Sequence, residues 1–422
     1  MNDQQALHLL NELELILESD PLIDEVGFIH PSQFDMLNEE ACHLLPSSDD
    51  TLSSKVSDID DASKHIGAAS FWNKDHKLGI STEVLFPLYQ TTKHAFMAAI
   101  KQYKALVDNS CIEDSSSYSA SSHDNVENEV MKLSRALLLL SCDFGTAWHS
   151  RKLAVSKKHR LSMLMYELQL SALVLSYAPK CEHAWSHRRW VIKSIAGRCS
   201  TLQNILEKES ELVEKIAERS KMNYRAWNHR NWLVSYMSGE QVLHELKKTR
   251  SWAGLHVADN SCFHYRRRLM LRILEDSKIG PVQNYVDINQ LWEEELEWNE
   301  MLIKLYVGRE ALWLHRRFLA PILLKGFLID HTDTTGTSIY KDFDKFVDNE
   351  FKLHSFCSTV PESSFEDHHA QALHCATYMS WLIKFIGIEF QEKLRVENLK
   401  SLLKKICPEK PFLWDHLTNN KS

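Results

Sequence analysis

The stretch Lys180-Cys-Glu-His-Ala-Trp185-Ser-His-Arg-Arg-Trp190 has a close counterpart in Asn223-Tyr-Arg-Ala-Trp227-Asn-His-Arg-Asn-Trp232. Each stretch places a histidine two residues after a tryptophan, an arginine three residues after it and a second tryptophan five residues after it. Positions three apart lie on one face of a helix, so the first tryptophan and the arginine are neighbours there. The pattern therefore predicts a helix that carries an aromatic and a basic side chain together.

This aromatic-x-x-Arg signature occurs five times along the chain. The aromatic positions are Trp148, Trp185, Trp227, Phe263 and Trp313, and the arginines are Arg151, Arg188, Arg230, Arg266 and Arg316. The aromatics are 37, 42, 36 and 50 residues apart, which leaves room for two helices and two turns in each repeat. One such helix pair cannot bury its apolar face alone, so neighbouring pairs must stack. We therefore predict an all-α fold, a right-handed α-α superhelix of antiparallel helix pairs with an N-terminal helical extension.

The pattern also divides the chain of 422 residues into three regions. Residues 1–129 are predicted to be an N-terminal extension with helices, and its segment 109–128, rich in serine and acidic residues, is predicted to be a mobile loop. Residues 130–330 hold the five helix pairs. Residues 331–422 are predicted to be a C-terminal helical region, with a degenerate sixth repeat considered at 368–386.

The composition argues against several functional classes. A net charge of -8 gives no global attraction for nucleic acid, and no apolar run is long enough to span a membrane. The nine scattered cysteines and the lack of signal-peptide features lead us to expect a cytoplasmic protein with reduced thiols. The sequence contains no recognisable metal-ligand spacing and no phosphate-binding glycine loop, so no metal is expected in this chain. A self-sufficient enzyme is therefore disfavoured.

The repeated arginines have two interpretations. In the first, each tryptophan fills the space between helix layers and each arginine reaches carbonyls or an acid of the next repeat. In the second, clusters such as His187-Arg188-Arg189 and Tyr265-Arg266-Arg267-Arg268 form a basic strip for an acidic surface or a diphosphate. A packing requirement explains the recurrence better, because it arises in every layer. For the second arginine of each cluster, both interpretations remain open. It belongs to the basic strip, or it lies on a solvated outer face.

These residues resemble the repeat of the protein prenyltransferase α subunits, whose pattern is Asn-Tyr-x-x-Trp-x-x-Arg. Asn223 to Arg230 match that pattern at each of its fixed positions, and the resemblance covers roughly residues 130–330. The stretches Ile23-Asp-Glu-Val-Gly-Phe28 and Lys77-Leu-Gly79 extend it into the N-terminal region, and Ser251 to Arg266 adds a longer match within the repeats.

The resemblance implies a crescent of helix pairs that wraps around a separate β subunit. That β subunit, here expected to be of the Rab geranylgeranyltransferase type, would hold the zinc and the prenyl diphosphate, and this chain would hold no cofactor. The heterodimer would transfer an isoprenoid, geranylgeranyl in our prediction, although a farnesyltransferase is also considered. Its substrates would be proteins with C-terminal cysteines, whose thiolate attacks the prenyl diphosphate.

The resemblance also identifies three candidate catalytic residues on the diphosphate and acceptor side. Lys180 lies five residues before Trp185, where the family has its diphosphate-facing lysine. Tyr224 and Arg225 lie three and two residues before Trp227, where family residues approach the diphosphate and the acceptor peptide. A departure from the family pattern places Glu182 in this region, where it would weaken or retune the binding of a diphosphate.

Two alternatives from other functional classes remain open at this point. The chain could be a non-catalytic α-solenoid scaffold of the tetratricopeptide kind, although such repeats have a 34-residue period. It could also be an escort that binds a β subunit without supporting prenyl transfer.

Overall fold

The computed structural model of the protein describes residues 3–34, 36–37, 70–109, 117–158, 160–279, 287–329, 337–358 and 366–386. The chain divides into two compact units, an N-terminal unit of residues Met1–His229 and a C-terminal unit of residues Arg230–Ser422. Helices account for nearly all of the described structure in both units, so the predicted all-α fold class is confirmed.

The N-terminal unit consists of helices that pack in sequence order. Their bounds are α1 (Asp3–Ser19), α2 (Leu85–Asn109), α3 (Ser117–Leu140), α4 (Gly145–Lys158), α5 (Leu161–Tyr177), α6 (Glu182–Ile195), α7 (Leu202–Arg219) and α8 (Tyr224–Leu233), which begins in this unit. Helices α3 and α4 pack as one antiparallel pair and α5 and α6 as the next. Trp148 lies on α4 and Trp185 on α6, the second helix of its pair in each case.

A three-stranded sheet in the N-terminal unit was not predicted from the sequence. Strands β1 (Glu25–Ile29), β2 (Phe71–Lys74) and β3 (Lys77–Ser81) lie in the order β1-β3-β2, with β1 and β3 parallel. Asp75 and His76 have φ angles of 52° and 60°, as a two-residue hairpin turn between β2 and β3 requires. The two short sequence stretches that extended the family resemblance thus form the paired strands β1 and β3.

The N-terminal region shares a core with the first helix pairs. Leu13 of α1 and Ile80 of β3 are fully buried in the same apolar cluster as Leu137 and Trp185. The predicted N-terminal extension therefore packs directly on the repeats.

Residues 117–128 of the segment 109–128, predicted to be a mobile loop, lie instead in the first half of α3. Helix α3 packs along α2. Its residue Glu127 is buried, 2.7 Å from Lys158 Nζ, and accepts a 3.4 Å hydrogen bond from Tyr103. Residues 110–116 and the polar stretch 47–61 lie outside the described residues.

The C-terminal unit begins with the end of α8 and a 3-10 turn at Val234–Tyr236. Its other helices are α9 (Gly239–Leu255), α10 (Asn260–Ile279), α11 (Ile288–Leu305), α12 (Glu310–Ile329), α13 (Thr337–Ser358) and α14 (Glu366–Ile386). They form the successive pairs α9–α10, α11–α12 and α13–α14. The degenerate repeat considered at 368–386 thus coincides with α14, whose partner is α13.

None of the helices in the described parts of the chain combines the length and the apolar character needed to cross a bilayer.

Candidate functional site

The repeat tryptophans are buried, and two of them anchor the turn inside their own helix pair. Trp148 Nε1 donates a 2.8 Å hydrogen bond to the carbonyl of Cys142, and Trp185 Nε1 donates a 3.0 Å bond to that of Pro179. The ring of Trp148 also lies 4.7 Å from the imidazole of His187 in the following pair. Trp148 and Trp185 therefore each fix their own turn, and Trp148 also fills the space to the next pair.

Each repeated arginine forms a buried ion pair with a glutamate on the first helix of the following pair. The pairs are Arg151–Glu167 and Arg188–Glu209 in the N-terminal unit, and Arg230–Glu245, Arg266–Glu295 and Arg316–Glu350 in the C-terminal unit. Arg266 shows the full arrangement, since it also donates 2.7 Å and 3.0 Å hydrogen bonds to the Leu246 carbonyl and to Thr249 of its own pair. One guanidinium thus connects three helices, as a packing role requires.

The repeated histidines complete this motif from the other side. His187 and His229 hydrogen-bond to Glu167 and Glu209 at 2.8 Å and 3.0 Å, and His315 and Tyr265 bind the corresponding glutamates of the C-terminal unit. Burial alone would raise the pKa of Glu167, but the charge of Arg151 and the hydrogen bonds from His187 and Arg151 outweigh it and lower the pKa to about 2. Burial lowers the pKa of His187. The cluster therefore holds a carboxylate, a guanidinium and a neutral imidazole, with no net charge.

This burial favours the packing interpretation over the basic strip at the repeated positions. His187, Arg188, Tyr265 and Arg266 have at most 3% of their surface exposed, so they cannot face an acidic partner or a diphosphate. Among the second arginines, Arg317 is exposed and lies over the ring of Trp381. Within these clusters, the additional arginines are the basic residues that reach the surface.

The buried glutamates were missed by the sequence analysis, although the sequence carries a signal for them. Glu167, Glu209, Glu245 and Glu295 each lie 18 residues before a repeat aromatic. An acid at one fixed distance in four repeats indicates a partner for the repeated arginine.

The three predicted catalytic residues lie at two neighbouring turns of the N-terminal unit. Lys180 is exposed in the turn between α5 and α6, and Tyr224, which is 69% exposed, begins α8. The buried Asn223 links the two turns, because its Nδ2 donates a 2.9 Å hydrogen bond to the carbonyl of Pro179. The structure therefore places Lys180 and Tyr224 on adjacent turns, at an open surface.

Glu182 modifies the charge of this surface. It lies 3.0 Å from Arg225 and 2.7 Å from Arg189, both measured between guanidinium nitrogens and carboxylate oxygens. We name the surface formed by Lys180, Glu182, Arg189, Tyr224 and Arg225 the turn surface. Three basic side chains and one carboxylate leave it positive, with Arg225 held by the acid.

Comparison with known proteins agrees with this geometry. The protein prenyltransferase alpha subunit repeat matches residues 164–195, 206–237, 242–273 and 292–322, which are the four successive pairs from α5–α6 to α11–α12. The chain therefore carries four copies of a sequence similar to this repeat. The pairs that contain Trp148 and α14 lie outside the matched segments.

Similar proteins carry the same repeat in their names. The human protein prenyltransferase alpha subunit repeat-containing protein 1 is 30% identical over 257 residues, covering 50% of this chain and 62% of the relative. Protein prenyltransferase alpha subunit repeat-containing protein 1-B of Xenopus laevis is 31% identical over 241 residues, covering 46% of this chain and 56% of the relative. Protein 1 of Danio rerio is 32% identical over 231 residues, covering 44% and 53%. The matches thus span little more than half the length of these relatives.

The match to this repeat draws attention to the turn surface. The buried Arg-Glu-His clusters hold helix pairs together and offer no accessible nucleophile or base. The side chains of Lys180, Tyr224 and Arg225 are exposed, so they do not contribute to the buried core. A ligand or a partner can reach these three residues without unfolding the repeat.

Proposed function

We propose that this chain is the alpha-type subunit of a heterodimeric protein prenyltransferase. A separate β subunit, of the Rab geranylgeranyltransferase type, would carry the zinc and the prenyl diphosphate. The heterodimer would transfer a geranylgeranyl group to cysteines near the C-terminus of its protein substrates. The observation that carries this proposal is the turn surface, an open and positively charged group of side chains on a prenyltransferase alpha repeat.

The chemistry of the turn surface suits the leaving group of this reaction. When a thiolate attacks the prenyl carbon, negative charge develops on the diphosphate oxygen. An ammonium such as Lys180 and a phenol such as Tyr224 stabilise that charge if they are placed beside it before the reaction. Because Lys180 is exposed and lies on a turn, a β subunit that covers this surface would bring it to a diphosphate.

The proposal needs a second chain, because the described residues supply only part of such a site. His187, His229 and His315 are completely buried against their glutamates, so they are not available as bases. We also propose a cytoplasmic location, since the cysteines among the described residues are free thiols, as in reducing compartments.

Co-expression with candidate β subunits tests the proposal. We expect the chain to copurify with one of them and the complex to transfer a geranylgeranyl group faster than a farnesyl group. Lys180→Ala should lower turnover while the complex still forms, whereas Lys208→Ala, at an exposed lysine on α7, should change neither. Failure of every candidate to copurify would overturn the proposal, and loss of assembly in Lys180→Ala would make Lys180 structural.

One observation favours an escort as the second candidate. Arg225 is paired with Glu182, so the turn surface carries less free charge than three basic residues alone would give. An escort would keep the repeat and the β-binding surface without supporting catalysis. A complex that forms normally but adds no prenyl transfer would favour this function.

A further inference from the structure

Three potential metal ligands converge at the turns of the first two helix pairs, and His183 lies beside one of them, Asp143. Cys142 and Asp143 lie in the turn between α3 and α4, Cys181 precedes α6 and His183 lies in its first turn. One ligand atom from each of Cys142, Asp143 and Cys181 lies within 4.8 Å of the other two. Asp143 Oδ1 is 3.6 Å from Cys181 Sγ and 3.6 Å from His183 Nδ1.

We propose that Cys142, Asp143, Cys181 and His183 form a structural site for a tetrahedral divalent cation of the zinc class. Two sulfurs, one imidazole nitrogen and one carboxylate oxygen are a ligand set that zinc accepts. In a tetrahedral zinc site, neighbouring ligand atoms lie about 3.3 to 3.8 Å apart, a value that follows from the usual metal-ligand bond lengths. The separations at Asp143 already fall in this range.

The surrounding contacts position these ligands before any cation binds. The Cys142 carbonyl accepts hydrogen bonds from Trp148 Nε1 at 2.8 Å and from the Cys181 thiol at 3.3 Å, which fixes the two turns against each other. Gly145 lies against the imidazole, since a Cβ there would be 3.4 Å from His183 Nε2, an ordinary van der Waals distance.

The sulfur of Cys181 is buried and accepts a 3.5 Å hydrogen bond from the Ala184 backbone N–H at the start of α6. Binding would replace the two S–H bonds with two sulfur-metal bonds and release two protons to solvent. The cation would then join the first helix pair to the second through covalent-strength bonds.

A disulfide between Cys142 and Cys181 is the main competing interpretation. It would need an oxidant, and it would leave the convergence of Asp143 and His183 without a role. The side chains of these two residues are 76% and 49% exposed, so a cation could reach the cluster from solvent. The four groups together therefore favour a cation. The ligands come from two turns 39 residues apart, which is why no ligand spacing was visible in the sequence.

Titration of the reduced full-length chain with Co²⁺ tests the proposal. We expect one equivalent to bind, with a thiolate-to-cobalt charge-transfer band and the intense visible bands of tetrahedral cobalt, and Zn²⁺ to displace it. Cys142→Ser and Cys181→Ser should each lose the charge-transfer intensity from their own sulfur. Cys199→Ser, in the turn between α6 and α7, should keep the wild-type spectrum. A wild-type spectrum without the charge-transfer band would overturn the proposal, as would an unchanged spectrum in both variants.

A second measurement uses the wild-type chain alone, so it does not depend on the folding of a variant. Alkylation followed by mass spectrometry should show that Zn²⁺ slows modification of Cys142 at least tenfold and leaves the rate at Cys199 unchanged. Equal rates with and without Zn²⁺ would overturn the proposal. A Cys142–Cys181 disulfide that persists in thiol reductant would also overturn it and identify a redox pair.

Discussion

Arg266 and Glu295 form a buried two-point ion pair that joins two successive helix pairs of the C-terminal unit. Arg266 Nε lies 2.8 Å from one carboxylate oxygen and its terminal nitrogen 2.6 Å from the other. Both side chains are at most 5% exposed, so neither charge has water as an alternative partner. Such a pair adds little net stability compared with apolar residues, but the removal of one member leaves the other charged and buried.

Arg266→Ala should therefore destabilise the C-terminal unit strongly. We expect a loss of about 3 to 5 kcal/mol in the free energy of unfolding, because Glu295 would remain without its cation. Urea unfolding followed by tryptophan fluorescence measures this loss. The matched control is Arg268→Ala, which removes an exposed ion pair with Glu275 and should cost less than about 1 kcal/mol. Equal losses in the two variants would contradict the packing role of Arg266.

The buried histidines should make stability fall as the pH is lowered. Burial lowers the pKa of His315 from 6.5, so below this value the unfolded chain binds a proton that the folded chain does not. The free energy of unfolding should therefore decrease as the pH falls from 7 towards 5. Glu295 adds a second decrease at lower pH, because its pKa falls from 4.5 to about 2 in the folded protein despite the opposing effect of burial.

His315→Gln isolates the first part of this pH dependence. Glutamine keeps a donor for Glu295 but does not titrate, so the variant should lose less stability between pH 7 and pH 5 than the wild-type chain. His8→Gln, at an exposed histidine of α1, should keep the wild-type slope. The measurement is the urea midpoint as a function of pH, and identical slopes for His315→Gln and wild type would contradict the expectation.

The helix pairs were predictable from the sequence because one physical requirement recurs in each layer. The tryptophan, the arginine and the glutamate 18 residues before the tryptophan keep fixed spacings, so they can be found by aligning the chain with itself. The first pair departs from this pattern at the glutamate position, because no earlier repeat offers an arginine to it. Val130 occupies its glutamate position and is buried, in the same apolar cluster as Ile100 of α2, and it needs no charged partner.

The first pair lacks the glutamate, whereas the last described pair, α13–α14, lacks the tryptophan and the arginine. The ring of Tyr378 lies 5.8 Å from that of Trp313, the contact that a histidine makes in earlier pairs. This alignment places Ala376 and Met379 at the positions of the tryptophan and the arginine. Because α14 carries neither, the sequence signature could give only a degenerate sixth repeat there.

The sheet and the cysteine cluster could not be predicted in this way. Each depends on a contact that occurs once and joins segments far apart in the sequence. Strand β1 pairs with β3 across about 50 residues of chain, and both strands are too short to show a clear alternation of apolar and polar residues. The turn surface was predicted only through the family resemblance, since exposed residues carry no packing periodicity. Its pairing of Arg225 with Glu182 required the structure.

The paired glycines of β1 and β3 give a direct test of this sheet. Gly27 and Gly79 are register partners, yet a Cβ on Gly79 would lie 2.5 Å from Ile29 Cδ1, whereas one on Gly27 would have its nearest neighbour at 4.0 Å. Gly79→Ala must displace the Ile29 side chain, so we expect it to cost about 1 kcal/mol in unfolding free energy. Gly27→Ala should cost nothing or stabilise the strand. The reverse order of the two variants would contradict the strand register.

Glu182 should limit the affinity of the proposed heterodimer for prenyl diphosphate. In Glu182→Gln, Arg189 and Arg225 lose the carboxylate that holds them, and a nearby negative charge disappears. We expect the KM for prenyl diphosphate to fall by up to about fivefold, because an exposed charge pair contributes up to about 1 kcal/mol. Glu211→Gln, at an exposed glutamate of α7, should leave KM unchanged. The difference should shrink at high ionic strength, where exposed charges are screened. An unchanged KM in Glu182→Gln, or an effect that persists at high salt, would show that the charge of Glu182 does not act on the diphosphate. Either result would favour the escort function.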